Sequence, residues 1–250
     1  MSTIPVALQL YSVRDDCSRG LSEVFEALAN MGYAGVEFAG YYGYDAIELR
    51  KLLDDYGLLV AGTHIGLDTL TGDSLKQTIE FNQILGNKFL IVPGLSDEYT
   101  ASKSAWLSTA HLFNQVAEQL LPDGLRIGYH NHTTEFAALD GELPWDVFFR
   151  NTSHGVVMQL DTGNAMAGGG DPIACLTDYP GRAATLHLKE FSATNPSALL
   201  GEGDVLWATV FEKCEAQGET EWYIVEQETY KYPPLETAKK CLKNLRQMGR

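Results

Sequence analysis

One local pattern recurs along the chain: an amphipathic helical stretch closes on a glycine, and a short run rich in Val, Ile, Leu and Phe follows at once. It reads LSEVFEALANMG then YAGVEF, IELRKLLDDYG then LLVAGTH, LKQTIEFNQILG then NKFLIVPG, and VFEKCEAQG then ETEWYIVEQE. Gly32, Gly57, Gly86 and Gly218 stand where a helix end needs a residue tolerant of positive φ. Eight runs read as strands: 6–10, 35–38, 58–63, 89–93, 126–131, 156–161, 185–189 and 222–226. Successive runs begin 23 to 37 residues apart, which leaves room for one crossover helix each and none for a second domain. Residues 1–250 therefore read as a single α/β domain, a (β/α)8 TIM barrel with its helices outside. A doubly wound open sheet would show a Gly-rich phosphate turn after its first strand, and the first turn here, QLYSVRDD, has no glycine.

Charge narrows the partners. Lys and Arg total 18 against 33 Asp and Glu, a formal net charge of −15, which repels phosphate backbones and anionic membrane surfaces. No run approaches the length of a membrane span, and the opening residues lack a basic segment followed by a long apolar one, so the expected compartment is the cytoplasm. Cys17, Cys175, Cys214 and Cys241 are far apart, without a CxxC pair, and read as reduced thiols used as small apolar side chains.

In a barrel of this kind the chemistry sits at the C-terminal strand ends. Polar residues are concentrated there: AGTHIGL, RIGYHNHTTEF, VVMQLDTGN, TLHLKEF and WYIVEQETY close the third, fifth, sixth, seventh and eighth strands. Side chains two apart share a face, so Gln159 with Asp161, Thr185 with His187 and Lys189, Gly128 with His130 and His132, and Ile224 with Glu226 and Glu228 point inward. Gln9, Tyr11 and Glu37 join them from the first two strands. Several carboxylates and imidazoles cannot share a barrel mouth uncompensated. Carboxylate oxygen with neutral imidazole nitrogen suits a divalent cation, Mn, Fe, Co, Zn or Mg; the alternative is a salt-bridged network around Lys189 and Arg14.

These motifs carry a resemblance. LDTGN, LHLKEF, YHNHTTEF and IVEQE, with QLYSVRD at the start and a late GEGDVLW, resemble the xylose-isomerase-like barrel superfamily of sugar isomerases, epimerases and dehydratases over nearly the whole chain. Asp161 and His187 lie 26 positions apart, one crossover, which makes the pair of motifs specific. The resemblance implies a divalent metal on Asp161, His187 and Glu226. The fifth-strand position departs: His130 and His132 stand where many relatives place a Glu, with Glu135 three residues on, so the fourth ligand is either His130 or Glu135. Asn164 departs as well, at a position where epimerising relatives often carry a His that binds substrate.

The leading expectation is a metal-dependent isomerase or epimerase of a sugar, sugar derivative or polyol. It would abstract a proton next to a metal-chelated carbonyl, with Glu226 and Glu135 for acid and base work and Lys189 or His132 stabilising the oxyanion. A dehydratase or lyase using the same enolisation is the second expectation, favoured by the extra imidazoles, and a non-catalytic sugar-binding or accessory subunit is the third. His64, Gln9, Glu37, Asn164, Trp207 and Phe38 are expected to contact the substrate, and Glu190 to be a structural partner. No phosphate-binding turn follows the last strands, which favours an unphosphorylated substrate. The resemblance also implies pairing into a homo-oligomer through the loops.

Overall fold

The computed structural model describes residues 4–217 and 219–250. Eight parallel strands close on themselves in chain order: β1 (Val6–Gln9), β2 (Gly35–Ala39), β3 (Leu59–His64), β4 (Phe89–Val92), β5 (Arg126–His130), β6 (Val157–Asp161), β7 (Thr185–Leu188) and β8 (Trp222–Val225), with β8 paired to β1. Each matches an expected run to within a residue at either end. The expected helix ends at Gly32, Gly57 and Gly86 all adopt the left-handed conformation, with φ of 91°, 67° and 69°; Gly218 lies outside the described residues.

Helices form where apolar residues recur every three or four positions. In Leu21–Met31 the buried residues are Leu21, Val24, Phe25 and Leu28. The helix Ala46–Tyr56 opens with a capping box, the Asp45 side chain accepting from the Glu48 N–H (2.8 Å) and the Glu48 side chain from the Asp45 N–H (3.0 Å).

Two apolar layers result. Leu8, Met158, Leu160, Leu186, Leu188, Tyr223 and Val225 point outward and pack under the helices. A second cluster, comprising Ala7, Ala61, Phe89, Ile91, Val157, Ala184, Trp222 and Ile224, plugs the inside of the barrel. Above this plug the inward positions turn polar, and register brings them together: Asp161 pairs with His187, His130 with Gln159, and Gln9 with Glu37. Adjacent strands are about 4.8 Å apart, so functional side chains at paired positions are neighbours by construction.

Between β2 and β3 the register steps from Val36–Val60 to Glu37–Gly62, leaving Ala61 as an extra residue. Ala61 faces inward with the plug. Without the step, alternation would turn His64 outward; with it, the imidazole enters the barrel.

Candidate active site

The upper end of the barrel holds a buried cluster of ionisable groups. Donor atoms of His130, Asp161, His187 and Glu226 all lie within 4.8 Å of one another, and His64 forms a second such group with His130 and His187. His187 is central: its Nδ1 is 2.5 Å from Glu226 Oε2 and 3.9 Å from Asp161 Oδ2, and its Nε2 is 2.6 Å from Glu37 Oε2. The Asp161 backbone is held by Asn131, whose Oδ1 accepts its N–H at 2.7 Å. Asp161 Oδ1 caps the following helix by accepting the Asn164 N–H (2.7 Å). Asp161 Oδ2 is buried without a hydrogen-bond partner.

Electrostatics follow from this crowding. Burial pushes the Asp161 carboxyl up to about 6, against the pull of Lys189 and with the repulsion of Glu226. Burial opposes the charge on His187 too, but Glu37 and Glu226 override it and raise the imidazole to about 10. Burial also opposes ionisation of Glu37 and Glu226, and their imidazole neighbours nonetheless hold both well below the usual carboxylate range. Burial, with His187 and His64 nearby, keeps His130 neutral, well below its ordinary value.

These residues fit a divalent cation. Ligand bonds of about 2.0 to 2.2 Å put donors across one ion within roughly 4 Å of each other, the scale of the four-residue cluster. The fully buried Asp161 Oδ2 has no hydrogen-bond partner and lies beside the His187 imidazole, a group whose burial a cation would compensate. The mixed imidazole and carboxylate set, with no thiolate among its members, suits Mn, Fe, Co or Zn.

A cavity of about 300 Å³ opens over the cluster, lined by Gln9, Tyr11, Ala39, His64, Pro93, His130, His132, Glu226 and Glu228. Lys189 closes one side, with its Nζ 2.7 Å from Glu228 Oε1 and 3.6 Å from Glu226 Oε1. His132 is shared with a neighbouring cavity of about 540 Å³ beside Trp106, Tyr129 and Leu139.

Not every expected residue arrives there. Glu135 accepts from Tyr129 Oη (2.6 Å) and from the His132 backbone N–H (2.8 Å), so both carboxylate oxygens are engaged in the fifth-strand loop, away from the donor cluster. Phe38 is fully buried against Phe25 and Tyr41 on the helix side of β2, because Glu37 takes the inward position. Trp207 is buried against Phe211 and donates its indole N–H to Glu190 (2.8 Å). Asn164 donates to the Asn131 carbonyl (3.1 Å) and supports Asp161 from behind. Glu37 lies wholly buried below the cluster, out of reach of a substrate. Arg14 stands apart from the network, donating to Tyr11 O and Tyr230 Oη. Glu190 is structural, as expected: Gly201, Val205 and Trp207 donate to it and fold the loop after β7. Two residues without an expected role matter here. Glu228 shares the Glu226 face and lines the cavity, and Gln159 links three of the other side chains below it.

Comparison with known proteins adds to this geometry. The family described as xylose isomerase-like TIM barrel matches residues 25–248. The chain is 23% identical over 267 aligned residues to the rhizopine catabolism protein MocC of Rhizobium meliloti, covering 92% of this chain and 82% of that protein. It is 24% identical over 246 residues to the inosose dehydratase of Geobacillus kaustophilus, covering 82% and 79%. Among solved structures, a sugar phosphate isomerase/epimerase from Parabacteroides distasonis superposes with a TM-score of 0.82 at 24% identity, covering 98% of this chain and 94% of that one.

Proposed function

Since the chain belongs to the xylose isomerase-like TIM barrel family, we propose that it is a divalent-metal-dependent lyase that removes water from a keto-polyol or keto-sugar ring. The observation that carries this reading is the asymmetry of the cavity. Glu226, Glu228 and the Lys189 ammonium stand on the β7 and β8 side. His64, His130 and His132 face them from β3 and β5, the strands flanking β4, which lies across the closed barrel from β8. Two-base epimerisation would call for a second carboxylate on the far wall, and the candidate, Glu135, is bonded elsewhere.

Asp161, His187, Glu226 and His130 would hold the cation; His130 as the fourth ligand in place of Glu135 is supported by the hydrogen bonds that engage both Glu135 oxygens. A cation there supplies a Lewis acid next to the substrate carbonyl, stabilising negative charge that develops on its oxygen. The carboxylates of Glu226 and Glu228 are placed to take the proton α to that carbonyl, and Lys189 offsets the charge that accumulates beside them. His132, the exposed imidazole of the far wall, is placed to protonate the departing β-hydroxyl. The Lys189 ammonium beside the cavity is already paired with Glu228 and Glu226, two carboxylates of the lining, which favours an uncharged substrate over a phosphorylated one. The inosose dehydratase similarity supports the same choice, since that relative's name describes loss of water from a keto-inositol ring.

The test is to incubate metal-loaded protein with a keto-inositol and with 3-keto sugars in D2O. Formation of an unsaturated ketone, read by ultraviolet absorbance and abolished in His132→Ala, is expected. Deuterium exchange at the α-carbon with an isomerised product and no loss of water would overturn the lyase reading in favour of an isomerase.

A further inference from the structure

Glu37 is wholly buried beneath this site, and its carboxylate faces two of the imidazoles above it, His187 and His64. Gln9 Nε2 donates to Glu37 Oε2 (2.7 Å) and Gln159 Nε2 to Glu37 Oε1 (2.7 Å). His187 Nε2 is 2.6 Å and His64 Nε2 3.2 Å from Glu37 Oε2. Room for this carboxylate is made by Gly62, where a Cβ would fall 2.6 Å from Glu37 Oε1. We propose that Glu37 is a positioning residue that sets the tautomer of the imidazole ligands, directly at His187 and through Gln159 at His130. The proposal rests on the metal-site reading above.

A carboxylate only accepts. Facing Glu37, His187 must therefore carry a proton on Nε2. Nδ1 faces the Glu226 carboxylate and carries a proton as well while no cation is bound, so Nδ1, turned towards Asp161 and Glu226, is the nitrogen that would release its proton to take a cation while Glu37 keeps the one on Nε2. Gln159 must likewise turn its NH2 to Glu37, a choice reinforced by its second bond from Nε2 to Thr185 Oγ1 at 3.0 Å. Its Oε1 is then the atom 3.1 Å from His130 Nδ1 and 2.7 Å from His64 Nε2. Oxygen accepts, so His130 carries its proton on Nδ1 and exposes a bare Nε2. One buried carboxylate thus prepares two ligands on β5 and β7 that its own strand does not touch. Outer partners of this kind orient metal-bound histidines, and their loss typically costs 10- to 100-fold in metal affinity.

The experiment compares four proteins, the parent, Glu37→Gln, Gly62→Ala and Asp161→Asn. Each is titrated with Mn2+ and Zn2+ alone, and the metal-free proteins are examined by 15N-resolved NMR of the histidine rings. Glu37→Gln is expected to bind metal about 10- to 100-fold more weakly, and its His130 proton to move from Nδ1 to Nε2 as the Gln159 amide turns over. Gly62→Ala, which displaces Glu37 without changing its chemistry, should weaken binding in the same direction; it carries the test should Glu37→Gln fail to fold. Metal affinity within twofold of the parent in both variants, with the His130 proton unmoved and binding lost in Asp161→Asn, would overturn the role of Glu37 alone. Parental metal affinity in Asp161→Asn would instead overturn the metal site itself, and the ring tautomers would still report on Glu37.

Discussion

At the scale of single residues, the site separates carboxylates by what already satisfies them. Asp161 keeps one buried oxygen unpaired, whereas both oxygens of Glu135 are spoken for by Tyr129 and the His132 backbone. Glu135→Gln should therefore leave metal affinity within about twofold while costing roughly 1–3 kcal/mol of stability, since an amide cannot accept both bonds. Calorimetric metal titration and urea unfolding check this, and loss of metal with unchanged stability would return Glu135 to the ligand set. The residue types of the cluster were legible in the motifs, and strand alternation put Glu37, Gln159, His130, His187 and Glu226 inside. Depth was not legible. Nothing local distinguishes Glu37, beneath the cluster, from Glu226 at its edge, because depth depends on the stagger between neighbouring strands.

Elements explain the other differences. The strand boundaries and their glycine-ended helices follow from periodicity and turn chemistry, both local properties. The extra residue Ala61 in β3 depends on pairing with β2, so alternation alone could not show which way His64 points. Trp207 was drawn from the mouth into the loop packing by Glu190, 17 positions earlier, a long-range bond without a local signature. That same carboxylate also receives the Gly201 and Val205 N–H groups, so the 191–206 segment depends on it. Glu190→Ala should destabilise the protein by about 1–3 kcal/mol and speed hydrogen exchange in this loop, with metal affinity unchanged. Unaltered exchange across 191–206 would remove Glu190 from its structural role.

Over the whole molecule, the polar upper end of the barrel rests on an apolar plug and an outer apolar layer, so chemistry and stability occupy different levels. Among the described residues no helix is long and apolar enough to cross a membrane. The four cysteines belong to the stabilising level: all are buried, and burial pushes the thiols of Cys17 and Cys241 up to about 11 and those of Cys175 and Cys214 up to about 12. At pH 8 a disulfide reagent should modify native protein no faster than it unfolds, and all four thiols at once in denaturant. A thiol that reacts at once in the native state would contradict this packing. Elemental analysis of the purified protein beside Asp161→Asn asks directly whether residues of β5 to β8 share one ion. A single divalent metal per chain in the parent, absent from a variant that is still folded, is the predicted result; equal metal content in both, or none in the parent even after incubation with Mn2+ or Zn2+, would contradict it.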